Sequence, residues 1–202
     1  MTDLNERDAK LVQYLSEAYG KEKELETSLE AHIAMTTKAP YEKRLRQHLR
    51  ETKAHAKGLE RRIKQLGGGG QKAQTAVGKA MAVAKGPLHM VRGSGEQEKM
   101  LKNAKTEYFN EHEEIATYLA IETLAEKVGD RETAKLAKGI RREEERMAKF
   151  LEGQIKSLTG AVVTEEIPSA QRKAASGSRK RSAPKRPAKA KRARKPARAS
   201  RK

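Results

Sequence analysis

Apolar residues recur along this chain at alternating spacings of four and three, the repeat of helices packed in a bundle. In the first such stretch the series is Leu11, Leu15, Ala18, Glu22, Leu25 and Leu29, which predicts a helix from about Leu4 to Thr36. A second helix is expected to start at Pro40, a residue suited to a first turn, and to reach Leu66 with Leu45, Leu49, Thr52, Ala56, Leu59 and Ile63 on one face. The glycines from Gly67 to Gly70 end it. A third helix, Gln97 to Val128, carries Leu101, Ala104, Tyr108, Ile115 and Tyr118, and Gly129-Asp130 reads as a stop followed by an N-cap. The fourth runs from about Arg131 to Leu158 and buries Leu136, Ile140, Met147, Leu151, Ile155 and Leu158.

Connection lengths then set the topology. The first and second helices are joined by a short turn, as are the third and fourth, so each pair is an antiparallel hairpin. Between the hairpins, residues 67–97 are rich in Gly, Ala and Lys, and a short helix fits near Ala73 to Lys85. A helix of ~25 residues is ~38 Å long, a span this connector can retrace. The expectation is an all-α four-helix bundle with one long crossover, formed by residues 1–160.

Glu22 changes the picture, because a carboxylate in an apolar stripe is penalised by several kcal/mol unless something neutralises it, on the order seen for buried charges. At 100° per residue Glu22 falls within about 20° of the centre of its stripe, and Glu111 and Glu144 within about 40° of theirs. On the second helix Glu51 lies about 115° from the apolar centre, with His48 and His55 nearer the core edge. Glu114 follows Glu111 by one turn. Several carboxylates converging with imidazoles on one core suggest a shared cation, since two divalent ions need about four carboxylates from facing helices. The usual Glu-x-x-His motif is absent; the chain offers His48-x-x-Glu51 and Glu111-x-x-Glu114 instead. For Glu51, Glu114, His48 and His55 a place at the boundary of the core is the competing reading. His112, on the far side of Glu111, is positioned to hydrogen-bond a ligating carboxylate. His32 and His89 are expected in solvent. Tyr14, Tyr108 and Tyr118 lie near the proposed site, as core packing or as one-electron donors.

The chain has no cysteine, which excludes disulfides and thiolate ligands and leaves oxygen and imidazole. No basic leader and no run of ~20 apolar residues is present, so a soluble cytoplasmic protein without a membrane span is expected. Charge is uneven. Residues 171–202 hold 15 Lys and Arg and no acid, so most of the net +18 lies there. After Thr159 the periodicity disappears and from Ser169 the composition collapses to Lys, Arg, Ala, Pro and Ser, so residues 161–202 are expected to be a tail disordered when free.

The runs Leu15-Ser16-Glu17-Ala18-Tyr19, Glu22-Lys23-Glu24-Leu25, His48-Leu49-Arg50-Glu51-Thr52 and especially Glu111-His112-Glu113-Glu114-Ile115-Ala116-Thr117-Tyr118 resemble the YciF-type branch of the ferritin-like superfamily. Thr123-Leu124-Ala125-Glu126 and Glu143-Glu144-Glu145 continue the likeness, which spans most of residues 10–158. It implies a ferritin-like fold, a homodimer, an association with bacterial stress responses and a dinuclear iron or manganese centre. Carried onto this chain, the ligand positions are Glu22, Glu51, Glu111, Glu114 and Glu144, with His48 and His112 matching recurrent histidines. The basic connector and the tail depart from the pattern.

The tail is similar to linker-histone tails. Its Arg179, Lys180, Arg181, Lys185, Arg186, Lys189, Lys191, Arg192, Arg194, Lys195, Arg198, Arg201 and Lys202 are the expected DNA contacts. No aromatic residue interleaves them, so base stacking is excluded and non-specific phosphate binding remains. Two functions stay open: a nucleoid-associated protein oxidising Fe(II) with peroxide or oxygen beside DNA, and a non-enzymatic architectural protein on a metal-free scaffold.

Overall fold

The computed structural model describes residues 4–68 and 95–172. The expected short helix near Ala73 to Lys85, His89 and the basic tail beyond Arg172 lie outside the described residues. Within them four helices form: α1 Glu6–Met35, α2 Ala39–Gln65, α3 Glu96–Lys127 and α4 Arg131–Glu166, followed by a 3-10 turn, Ser169–Gln171.

Each helix end has a local cause. The Asn5 side chain accepts the Asp8 N–H at 2.8 Å and starts α1. Pro40 sits in the first turn of α2, where its missing N–H costs nothing. Between α3 and α4, Gly129 takes φ 75° and Asp130 N–H reaches back to the Ala125 carbonyl at 2.8 Å, closing α3 with a left-handed cap. Asp130 then accepts the Thr133 N–H at 3.0 Å and opens α4. The same carboxylate receives Arg62 of α2 at 2.7 and 2.8 Å, so one buried residue ends a helix, begins the next and ties both to a third.

α4 continues to Glu166, two turns past the expected end at Leu158. Nothing between Thr159 and Glu166 breaks a helix, and Ala161, Val162 and Val163 remain half-buried. Pro168 supplies the stop by forcing Ile167 into extended backbone.

Two apolar cores lie at opposite ends of the bundle. One joins Val12 and Leu15 of α1, Leu59 and Ile63 of α2, Tyr118 and Ile121 of α3, and Ala137 and Ile140 of α4. The other joins Leu29 and Ile33, Tyr41 and Leu45, Met100 and Ala104, and Met147, Leu151 and Leu158. The start of α1 therefore meets the end of α2, the end of α3 and the start of α4, so each pair of neighbours is antiparallel. α2 ends at one pole while α3 begins at the other. This is the four-helix arrangement with one long crossover that the periodicity predicts. Close approach of α2 and α4 uses Gly58, where a Cβ would meet the Leu136 side chain at 3.3 Å.

α3 is less apolar inside than its hydropathy pattern suggests. Its buried positions include Asn103, Glu107, Glu111, Glu114, Tyr118 and Glu122, while Leu101, Tyr108 and Ile115 are half-buried at the flanks. Phe109 and Leu119 face outward, 70% and 51% exposed. No helix among the described residues is long and apolar enough to cross a membrane.

Candidate metal centre

Midway between the two cores, all four helices turn ionisable side chains inward. α1 contributes Glu22, α2 His48 and His55, α3 Glu111 and Glu114, and α4 Glu144, all of them buried. His48 and His55 are seven residues apart, two turns on one face of α2, so both rings enter the same layer.

Two three-donor groups result. Glu22, His55 and Glu144 form one and His48, Glu111 and Glu144 the other; in each, one ligand atom per residue lies within 4.8 Å of the rest. Glu144 belongs to both and stands between them. In the first group His55 Nδ1 lies 2.9 Å from Glu144 Oε1 and 3.3 Å from Glu22 Oε1. In the second His48 Nε2 lies 2.9 Å from Glu111 Oε1 and 3.8 Å from Glu144 Oε2.

The outer nitrogens of both rings are held by carboxylates. His55 Nε2 donates to Glu143 at 2.8 Å, and His48 Nδ1 approaches Glu51 at 3.4 Å. With its proton on Nε2, His55 turns a lone pair toward two carboxylate oxygens. Acceptors facing acceptors in a buried site call for a proton or a cation between them. Six buried atoms of the layer have no hydrogen-bond partner: Glu22 Oε2, His55 Nδ1, Glu111 Oε2, Glu114 Oε1 and both oxygens of Glu144. Buried carboxylate oxygens and an imidazole nitrogen left without partners are the atom types that ligate divalent cations. These buried His and Glu groups could hold a metal ion.

Without a cation, protons take up the charge. Burial disfavours a charged His48, but Glu111, Glu51 and Glu144 outweigh it and hold the ring up to about 10. Burial likewise opposes charge on His55, yet Glu144 and Glu22 hold it up to about 11. Burial pushes Glu111 up to about 8 against the pull of His48. It raises Glu22 despite His55, and it raises Glu114 with help from Glu22, Glu144 and Glu111. On Glu144 burial is overcome by His55 and His48, leaving that carboxyl lowered. Four carboxylates, Glu22, Glu111, Glu114 and Glu144, match the charge of two divalent ions.

A family model described as "Domain of unknown function (DUF892)" matches residues 6–164. The chain belongs to this family. Among solved structures it is similar to a protein of Xanthomonas campestris pv. campestris, at 25% identity and a TM-score of 0.63, covering 80% of this chain and 99% of that one. It is also similar in fold to the E. coli stress protein YciF, at 21% identity and TM-score 0.56, covering 76% of this chain and 97% of that one. YcfI of Rhodopseudomonas palustris shares the fold at 20% identity and TM-score 0.58, with 74% and 95% covered. No curated protein sequence matches the chain.

In this DUF892 member, six of the seven expected ligand positions, Glu22, His48, His55, Glu111, Glu114 and Glu144, converge in the buried layer. Glu51 stands outside it. Its carboxylate accepts from Arg44 at 2.9 Å and Gln47 at 2.8 Å as well as facing His48. Burial works to raise Glu51, but His48, Gln47 and Arg44 overcome it and hold it down to about 2. His112 is exposed, its ring edge-on to Tyr108 with centroids 4.5 Å apart, outside the buried carboxylate layer. Tyr118 enters the layer itself and donates to Glu22. Tyr14 packs at the edge of the first core, with Lys10 5.2 Å above its ring.

Sequence reasoning missed four residues, Glu143, His32, Glu107 and Tyr41. Glu143 holds His55 from outside, and the Glu143-Glu144 doublet carried no hint that one member faces in and its neighbour faces an imidazole. His32, expected in solvent, is buried: its Nδ1 lies 2.7 Å from Glu107 Oε1, and Tyr41 donates to the other Glu107 oxygen at 2.8 Å. The signal existed, since Glu107 precedes Glu111 by one helical turn and so shares its face.

Proposed function

We propose that this chain is a nucleoid-associated bacterial stress protein whose bundle holds a dinuclear metal centre, iron first and manganese second, and whose basic tail holds it on DNA without regard to sequence. The observation that carries the reading is Glu144, shared by two three-donor groups drawn from all four helices. Glu22 with His55 would hold one ion and His48 with Glu111 the other, Glu144 belongs to both groups, and Glu114 would complete the charge. Oxygen and imidazole donors suit both metals. Two Fe(II) ions bound there would supply the two electrons and the solvent the two protons that reduce hydrogen peroxide to water, consuming both reagents of hydroxyl-radical damage, whereas the same two electrons would take dioxygen only to peroxide.

The chain's own residues set the conditions for that chemistry. Glu143 and Glu51 fix the orientation and tautomer of the two rings, so that one nitrogen of each points inward. The apolar cores above and below exclude water and strengthen every charge interaction in the layer. Tyr118 holds Glu22 in place through its hydroxyl. A homodimer belongs to this reading, and the outward Phe109 and Leu119 offer apolar surface for it.

Metal analysis of protein purified without chelator tests the proposal. About two iron or manganese ions per chain are expected, and Glu22→Ala combined with Glu111→Ala should empty both positions. Protein that stays empty after anaerobic Fe(II) addition would leave an architectural DNA-binding protein on a metal-free bundle as the surviving reading.

A further inference from the structure

The two imidazoles of the buried layer are alike on their inner sides and unlike on their outer sides. His48 is backed by Glu51, and Glu51 is clamped by Arg44 and Gln47 at 2.9 and 2.8 Å. His55 is backed by Glu143, whose other contact among the described residues is Arg146 at a loose 3.5 Å. The Glu143 side chain is 37% exposed, against 20% for Glu51. Outside His55 the surface between α2 and α4 dips into a depression lined by His55, Glu132, Lys135, Leu136, Gly139 and Glu143. His55 is the wall between that depression and the centre: Nε2 meets Glu143 at its floor, while Nδ1 faces Glu22 and Glu144 on the other side.

We infer that this depression is the entry port for divalent cations, with Glu143 the residue that first receives an ion and passes it behind the His55 ring; the inference rests on the metal-centre reading above. Glu143 suits the task because it touches the inward-facing ring directly and is half in solvent with little else to hold it. A small swing of its carboxylate frees Nε2 and opens the edge of the ring. Glu51 has no such freedom. Gly139 lines the depression without a side chain, and the space above it is open, since a Cβ there would meet no atom within 4 Å. Among these lining residues Lys135 is the opposing charge, and Arg62 draws off part of Glu132 at 2.7 Å. Replacing either Glu143 or Lys135 therefore changes the field that a cation meets at the mouth.

Cobalt(II), which gains visible absorption in a nitrogen and oxygen site, serves as the probe. Full-length protein stripped with chelator is mixed with Co(II) and the loading rate followed by stopped-flow absorbance, with final metal content measured separately. Gly139→Phe plugs the mouth while improving helix propensity, so folding is preserved. It should slow loading by about tenfold or more, because entry then waits on a conformational opening, and it should leave final content unchanged. Gly153→Phe, on an open part of the same helix, is the control and should load at the wild-type rate. Glu143→Gln, which keeps a hydrogen-bond partner for His55, should slow loading, and Lys135→Gln should quicken it. Normal loading rates in Gly139→Phe and Glu143→Gln would overturn the port while leaving the centre intact. Wild-type protein that takes up no cobalt would overturn the centre and the port with it.

Discussion

Glu144 is the residue on which both halves of the layer depend, and its substitution separates a shared site from two independent ones. Glu144→Ala is expected to remove both ions, whereas Glu22→Ala should leave the His48–Glu111 position partly able to fill; metal content after Mn(II) dialysis reads the difference. Glu51→Gln acts through His48 and should weaken binding by about 10–100-fold. Protons compete with metal here, and the sign follows from the shifts. His48, His55 and Glu111 are all raised in the folded chain, to about 10, 11 and 8, so folding takes up protons and their stabilising effect is complete only below the unfolded values. It is lost as pH rises through the folded ones. Lowered Glu144 acts the opposite way, but only as pH falls below the ordinary carboxylate range. Chelator-treated protein should therefore lose melting temperature steadily from about pH 5 to about pH 11, and Mn(II) should flatten that slope by replacing the protons; an unchanged slope with bound metal would count against the ligand set. Glu22, Glu111 and Glu144 were legible because each interrupts an apolar stripe near its centre. Glu51 and His112 misled because flanking position on a helix does not say which neighbour a side chain finds: Arg44 and Gln47 captured one, and Tyr108 the other.

Helix ends test how much of each element is local. Gly129 occupies left-handed backbone with open space around its Cα, so Gly129→Ala carries a backbone penalty with no steric one, and a loss of about 1 kcal/mol in urea unfolding is expected. Asp130→Ala should cost more, about 2–4 kcal/mol, because it removes an N-cap and strands the half-buried Arg62 guanidinium. Asp130→Asn, which keeps the cap and loses the ion pair, should fall between. Both positions were readable as a stop and a cap, since the Gly-Asp pair has a local mechanism. The reach of α4 to Glu166 was not: nothing in Gly160 to Thr164 signals continuation except the absence of a breaker before Pro168. α3 was misjudged for a different reason. Its inward face carries Asn103, Glu107, Glu111 and Glu114, so a search for apolar periodicity settles on the flanking Leu101, Tyr108 and Ile115. A helix that lines a buried polar layer defeats hydropathy, and only the positions of its partners on the other three helices show which way it faces.

At the scale of the whole chain, body and tail should behave as separable parts. The bundle closes on its own cores at both poles, and the last buried side chain among the described residues is Leu158. Helicity and melting temperature should stay nearly unchanged on removal of residues 173–202. Most of the basic excess would go with the tail, because 30 Lys and Arg nearly balance 27 Asp and Glu over residues 1–170. Binding to phosphates releases counterions, and if about eight of the tail's cations engage duplex DNA, log affinity should fall against log salt with a slope of about −7. The intact protein should thus hold DNA at 50 mM salt and lose several orders of magnitude in affinity by about 200 mM, equally for unrelated sequences, since nothing in the tail composition reads base edges. Fluorescence anisotropy across a salt series measures both the slope and the sequence indifference. A truncated chain that kept the same slope would move DNA binding to the bundle or the 69–94 connector, and the pairing of a metal layer with a separate cationic tether would fail as an account of the molecule.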